Sequence, residues 1–289
     1  MPPPLEGENV RRLLGPGLLI LLIVVVGGGY LVLRDHPTST KRQPPPVART
    51  PTTSHSAAPS VTRTSPASYA ARILQDHPVA LWLLNDPSGT TARDQTGRFP
   101  GTYVGSPHRG GAFSSSLPAS TSFDGVDDRV TANALTRLRS WPGYTIEGWV
   151  RLTQQSVEEH IIAFNQANGG NGPGLLHDQP TRKFKFRDCE GPGCAQVFST
   201  TFPHLGTLYL LDVSVDPNNR GTLYVNGRPQ AHFVSAHRPD TKGLFTIGAE
   251  YDSGPTPTSF FHGEIAGVAV YAHALDAATV MAHYRAGAH

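Results

Sequence analysis

Cysteine is nearly absent from this chain of 289 residues, which holds only Cys189 and Cys194. Two thiolates without a neighbouring His pair do not complete a tetrahedral zinc site, which argues against a zinc module. The 13 histidines are scattered, and no pair has the spacing of a helical metal motif. Charge is scarce as well. The net is +2 and Lys and Arg do not cluster, so no nucleic-acid partner is expected. No Gly-x-Ser-x-Gly word is present, so a nucleophile elbow is missing too.

The two cysteines bracket the run Cys189-Glu190-Gly191-Pro192-Gly193-Cys194. A Gly-Pro-Gly turn brings the sulfurs together, and a small-loop disulfide is expected. Closing so short a loop stabilises by roughly 2 kcal/mol. The alternative is two free thiols in a reducing compartment; the membrane segment argues for an oxidising one.

Residues 13–33 are apolar and uncharged, flanked by Arg11, Arg12 and Arg34. A helix needs about 20 such residues to cross a bilayer. The run is longer than a usual signal-peptide core and no Ala-x-Ala site follows, so an uncleaved transmembrane anchor is expected over a cleaved signal. A buried core helix is a third reading, disfavoured by Gly27-Gly28-Gly29. Charge on both flanks leaves orientation ambiguous. A short cytoplasmic tail (1–12) and a large C-terminal part suggest a single-pass membrane protein with that part extracellular. Residues 34–66 are rich in Pro, Ser and Thr with almost no large apolar side chain, which predicts a disordered spacer.

From residue 67 to 289 the pattern changes to short apolar runs separated by Gly, Pro, Asn and Asp. Strands are expected at 79–84, 144–152, 160–164, 183–186, 208–215, 222–225, 244–247 and 264–271, several with period two. Asn226-Gly227 signals a hairpin. Helices are expected over 68–76 and, capped by Asp276, over 276–285. Many short strands without βα alternation imply an all-β, two-sheet antiparallel jelly roll with a short C-terminal helix.

Several words carry a family resemblance. They are Val79-Ala80-Leu81-Trp82-Leu83-Leu84, Ser122-Phe123-Asp124-Gly125-Val126-Asp127-Asp128, Tyr144-Thr145-Ile146-Glu147-Gly148-Trp149-Val150, Leu223-Tyr224-Val225-Asn226-Gly227 and Val270-Tyr271-Ala272-His273-Ala274-Leu275-Asp276. In this order they resemble laminin-G-like, concanavalin A-like lectin/glucanase domains. The resemblance implies a jelly roll that binds carbohydrate or protein, and often calcium. The positions matching calcium-site acids are Asp94, Asp124 and Asp128, although Ala266 and Gly267 stand where a later acid pair usually follows. The plainer reading makes these aspartates turn residues.

Glucanases of this fold carry a Glu-x-Asp-x-x-Glu strand, which this chain lacks; beside Glu147 stand Gly148, Trp149 and Val150. The adjacent Glu158 and Glu159 would point to opposite faces of a strand. The expectation is therefore a non-enzyme. Of the three tryptophans, Trp82 and Trp149 read as core, and Trp141 as the candidate sugar contact, with loops 165–174 and 251–259 as candidate binding loops. The function expected is a surface-tethered module recognising a glycan or a surface protein. The alternatives are a glycan hydrolase and a purely structural envelope protein.

Overall fold

The computed structural model describes residues 68–288, apart from 118, 134, 136–140, 166–170, 191–192, 236–242 and 252–253. The tail expected over 1–12, the membrane segment expected over 13–33 and the spacer expected over 34–66 lie outside the described residues. Among the described residues no helix is long and apolar enough to cross a membrane.

The strands, numbered in chain order, form two antiparallel sheets. Sheet A runs β14 (Arg228–Val234), β13 (Arg220–Val225), β12 (Leu208–Val215), β7 (Tyr144–Leu152), β16 (His262–Tyr271), β5 (Ser120–Asp124) and β4 (His108–Gly111), with β1 (Ala80–Trp82) also paired to β16. Sheet B runs β11 (Gly193–Phe198), β10 (Lys183–Glu190), β9 (Asn171–Asp178), β8 (Glu159–Asn165), β15 (Phe245–Ile247), β6 (Arg129–Ala132), β3 (Gly101–Val104) and β2 (Thr91–Ala92). The expected all-β sandwich is the observed fold.

Side chains alternate across each strand, so each sheet has two faces. From β7, Tyr144, Ile146, Val150 and Leu152 enter the inter-sheet core with Ile162, Phe184, Phe186 and Phe245. Each such side chain contributes about 1.5–3 kcal/mol on burial. Trp82 stacks on Phe245 there, ring centroids 5.0 Å apart.

The other face of β7 is buried too. Helices α1 (Tyr69–Gln75) and α2 (Ala277–Gly287) cover it, building a second core from Tyr69, Ile73, Trp149, Leu210, Tyr271 and Val280. Both helices start on side-chain caps. Ser68 Oγ accepts from the Ala71 N–H at 3.3 Å and Asp276 Oδ1 from the Thr279 N–H at 2.7 Å.

The Asn226-Gly227 turn joins β13 to β14, with φ of 54° and 73°. Both positive values suit the hairpin turn that the dipeptide predicts. A Cβ on Gly227 would lie 2.9 Å from Met281 Cα, so α2 packs where only glycine leaves room.

Candidate functional site

The two outer faces differ. Sheet A lies beneath α1 and α2, whereas sheet B carries no helix on its outer face among the described residues. In β10 the run Lys183-Phe184-Lys185-Phe186-Arg187 alternates. Phe184 and Phe186 enter the core, so Lys183, Lys185 and Arg187 project to the outer side, where Lys185 is nonetheless buried at 7% exposed. Asp178 of β9 stands opposite Lys183, and Gly174 opposite Arg187. On β11, Phe198 stands opposite Lys185 and Gln196 opposite Arg187.

These side chains form a charged strip. Lys185 Nζ lies 3.1 Å from Asp178 Oδ1 and 3.6 Å from Glu158 Oε2. Arg187 Nη2 donates to Glu250 Oε2 at 2.6 Å and approaches His160 Nε2 at 3.1 Å. His160 Nε2 is 3.0 Å from Glu250 Oε1. Burial opposes ionisation of Asp178 and Glu250, yet both carboxyls sit below their usual range. Hydrogen bonds from Thr181 and Lys185 outweigh it at Asp178, and His160 with Arg187 at Glu250. Glu158 is the most accessible acid, its side chain 32% exposed.

Behind the strip, Asn165 donates to Leu244 O at 2.7 Å and accepts from the Tyr251 N–H at 2.8 Å, holding the start of the 251–259 loop. Glu158, His160 and Glu250 each bring a ligand atom within 4.8 Å of the others. The Arg187 guanidinium bonds all three members of that group. The convergence therefore holds the chain's own cation and does not fit a metal ion.

A second polar cluster lies under the helices. His283 Nδ1 is 2.8 Å from Glu147 Oε2, and its Nε2 is 2.8 Å from Asp76 Oδ2. Tyr271 Oη donates to Glu147 Oε1 at 3.1 Å, and Asp212 faces Glu147 across β12 and β7. A histidine between carboxylates resembles acid–base machinery. Glu147, Asp212 and His283 are nevertheless wholly buried, so the cluster clasps helices to sheet and meets no substrate.

Glu158 and Glu159 diverge as the sequence predicts. Glu158 joins the strip, while Glu159 points inward, where burial pushes its carboxyl up to about 7.

The three aspartates expected at a calcium site separate. Asp94 is a structural hub. Its carboxylate accepts the N–H groups of Leu81, Thr96, Arg98 and Phe99 at 2.8–3.0 Å and the Thr96 hydroxyl at 2.6 Å. Asp124 and Asp128 do meet, joined by Asp127, with carboxylate oxygens within 4.8 Å. Asp124 Oδ1 caps the N–H groups of Val126 and Asp127, and Asp128 accepts those of Ser106 and Asp124. All three donors suit calcium in kind but fall short of its six to eight oxygens.

Trp141 is half-buried and packs against the inter-sheet core rather than standing free as a sugar platform. Cys189 and Cys194 are paired across β10 and β11 in a disulfide, Cα atoms 4.2 Å apart. The 165–174 and 251–259 loops fall partly outside the described residues. Sequence reading missed Asp178, Lys185, Arg187 and Glu250. The period-two run of β10 is the signal that placed two of them on one face.

A family model described as the concanavalin A-like lectin/glucanases superfamily matches residues 124–281. No curated protein matches the chain. Among solved structures, a Trypanosoma rangeli sialidase in complex with the inhibitor DANA is similar at 16% identity and TM-score 0.54, over 72% of this chain and 32% of that one. The receptor-binding domain of botulinum neurotoxin C/D mosaic serotype is similar at 11% identity and TM-score 0.56, over 73% and 51%. The binding domain of botulinum neurotoxin serotype D gives 10% identity and TM-score 0.56, over 73% and 52%. The chain thus spans about a third to a half of these structures, and the likeness is one of fold. The comparisons overturn the expectation of a non-enzyme. Sialidases are among the similar structures and the family takes in glucanases, so the missing Glu-x-Asp-x-x-Glu word does not decide enzyme status.

Proposed function

The chain belongs to the concanavalin A-like lectin/glucanase superfamily, and we propose that it recognises carbohydrate on the open face of sheet B. The observation that carries this reading is the strip of Lys185, Arg187, Glu158, Asp178, His160 and Glu250. Lys185, Asp178, His160 and Glu250 are buried, and their mutual ion pairs hold Glu158 and the edge of Arg187 in place, which leaves those two as the preorganised groups that meet sugar hydroxyls.

The test is a glycan array probed with the full chain and with Lys185→Ala and Glu158→Gln. The wild type binds a defined set of glycans and both variants lose it. An empty array with folded wild-type protein overturns the reading; capture of a surface protein alone redirects it to a protein ligand.

One observation favours a second reading, glycan cleavage. Glu158 and Glu250 bring carboxylate oxygens within 4.8 Å, and retaining glycosidases place two carboxyl groups about 5 Å apart. Reducing ends released from polysaccharide by wild type, and lost in Glu158→Gln, support it. Their absence with bound glycan leaves recognition alone.

Calcium enters the proposal only at the Asp124–Asp128 turn, where Asp124, Asp127 and Asp128 would hold it and it would relieve their mutual repulsion. We further propose that residues 13–33 cross a membrane and 34–66 hold the domain off it, outside the cell. Protease shaving of intact cells then removes the domain, and resistance to shaving overturns that placement.

A further inference from the structure

Among the described residues, Phe202 is the one exposed Phe, Tyr or Trp ring, with 57% of its surface in water. It lies in the segment between β11 and β12, and that segment is tied down on every side. The Ser199 N–H donates to Phe184 O at 2.8 Å, and Ser199 Oγ to Thr201 O at 2.6 Å. Thr200 and Thr201 both donate to Gln230 Oε1. Gln155 Nε2 donates to Pro203 O at 2.7 Å, and the His204 N–H to Tyr209 Oη at 3.0 Å. The Gly206 N–H donates to Leu152 O at 2.8 Å. A pinned loop that still turns a phenyl ring to water, beside Leu205 at 53% exposed, is built to present that ring.

The ring is continuous with the charged strip. Lys183 Nζ lies 4.8 Å from its centroid, and Lys183 begins the outward row that continues through Lys185 to Arg187. Residues 183 to 187 span about 13 Å along a strand, a length suited to more than one sugar unit. Two exposed apolar side chains are too few for a stable protein interface, which buries about 800 Å² on each partner. A single sugar ring needs far less. The Lys183 ammonium and the nearby Arg182, which donates to Gln155 Oε1 at 3.4 Å, supply hydrogen-bond donors around the ring.

We propose that Phe202 is the aromatic end subsite of an oligosaccharide site running along β10 from Arg187 past Lys185 and Lys183. This rests on the carbohydrate reading and adds to it: the ligand is a chain of several sugars laid along the strand, its last ring stacked on Phe202.

The test is a printed array of neutral and acidic oligosaccharides two to six units long, probed with the full chain, Phe202→Ala, Phe202→Trp and Lys185→Ala. Wild-type binding rises with length. Phe202→Ala loses at least tenfold on the longer glycans and little on disaccharides, Phe202→Trp retains binding, and Lys185→Ala loses every length. Phe202 is exposed, so folding survives its replacement, which circular dichroism checks. Loss in Lys185→Ala with no loss in Phe202→Ala overturns the subsite and leaves the carbohydrate reading standing. A wild type that binds nothing overturns both. A dimer in sedimentation that Phe202→Ala converts to monomer also overturns the subsite, in favour of a contact between copies.

Discussion

His283 on α2 and Glu147 on β7 lie 2.8 Å apart, Nδ1 to Oε2, and neither side chain reaches solvent. Because Asp76, just after α1, takes the other ring nitrogen, one imidazole ties both helices to sheet A. Tyr69, Tyr271 and Asp212 face the same carboxylate.

Burial by itself would lower the His283 pKa, but the carboxylates of Glu147 and Asp76 hold it above the usual histidine value. A folded-state pKa above the unfolded one gives stability that is complete below about pH 6.5 and is lost as pH rises through the folded value. Thermal melts from pH 5 to 9 therefore show the domain weakening toward alkaline pH, and His283→Gln flattens that profile. Glu147→Gln costs about 3–5 kcal/mol, as removing one partner of a buried ion pair does. Asp212→Asn, by contrast, changes stability by about 1 kcal/mol or less. Burial and the Glu147 charge raise the Asp212 pKa well above the usual carboxylate range, which favours the neutral form that Asn mimics.

Glu159 makes a second pH prediction. Burial raises its carboxyl to about 7, despite a 2.9 Å bond from Gln154 Nε2. The folded domain thus keeps a proton that the unfolded chain releases, and stability falls between about pH 4.5 and 7. Glu159→Gln cannot ionise. It is expected to be more stable than wild type above pH 7, by on the order of 2 kcal/mol, and equal to it near pH 4. Urea midpoints at both pH values check this.

Asp94 and the Asp124–Asp128 turn separate structure from cation binding. Asp94→Ala strands several backbone N–H groups and costs about 3 kcal/mol or more, and Asp94→Asn costs less because one acceptor oxygen remains. Calcium at ten times its dissociation constant adds about 1.4 kcal/mol to the wild type. In calorimetry that increment persists in Asp94→Asn and disappears in Asp127→Asn.

The Cys189–Cys194 bridge joins directly opposed residues of neighbouring strands. Replacing both by Ser is expected to lower stability by about 2 kcal/mol and leave the sheet intact, because the bridge closes a short loop in the unfolded chain. Denaturation with and without reductant measures the same loss in the wild type.

Local sequence determined much of the framework. The Asn226-Gly227 turn, the Asp276 cap, the opposed cysteines and the apolar alternation of β7 and β10 all arise from interactions within a few residues or across one strand pair. The words resembling the family lie on these elements, so the fold was legible from them. The charged strip was not. Glu158, Asp178, Lys185, Arg187 and Glu250 come from separate stretches, and each reads alone as an ordinary surface charge. Tertiary structure decided which sheet face stayed open, because α1 and α2 dock on sheet A and seal Glu147 away. At Asp94 it decided one bond of five: Thr96, Arg98 and Phe99 of the same turn supply four, and only the Leu81 N–H arrives from another strand. Hydrogen bonding and burial depend on what arrives from elsewhere in the chain, and residue order does not carry that.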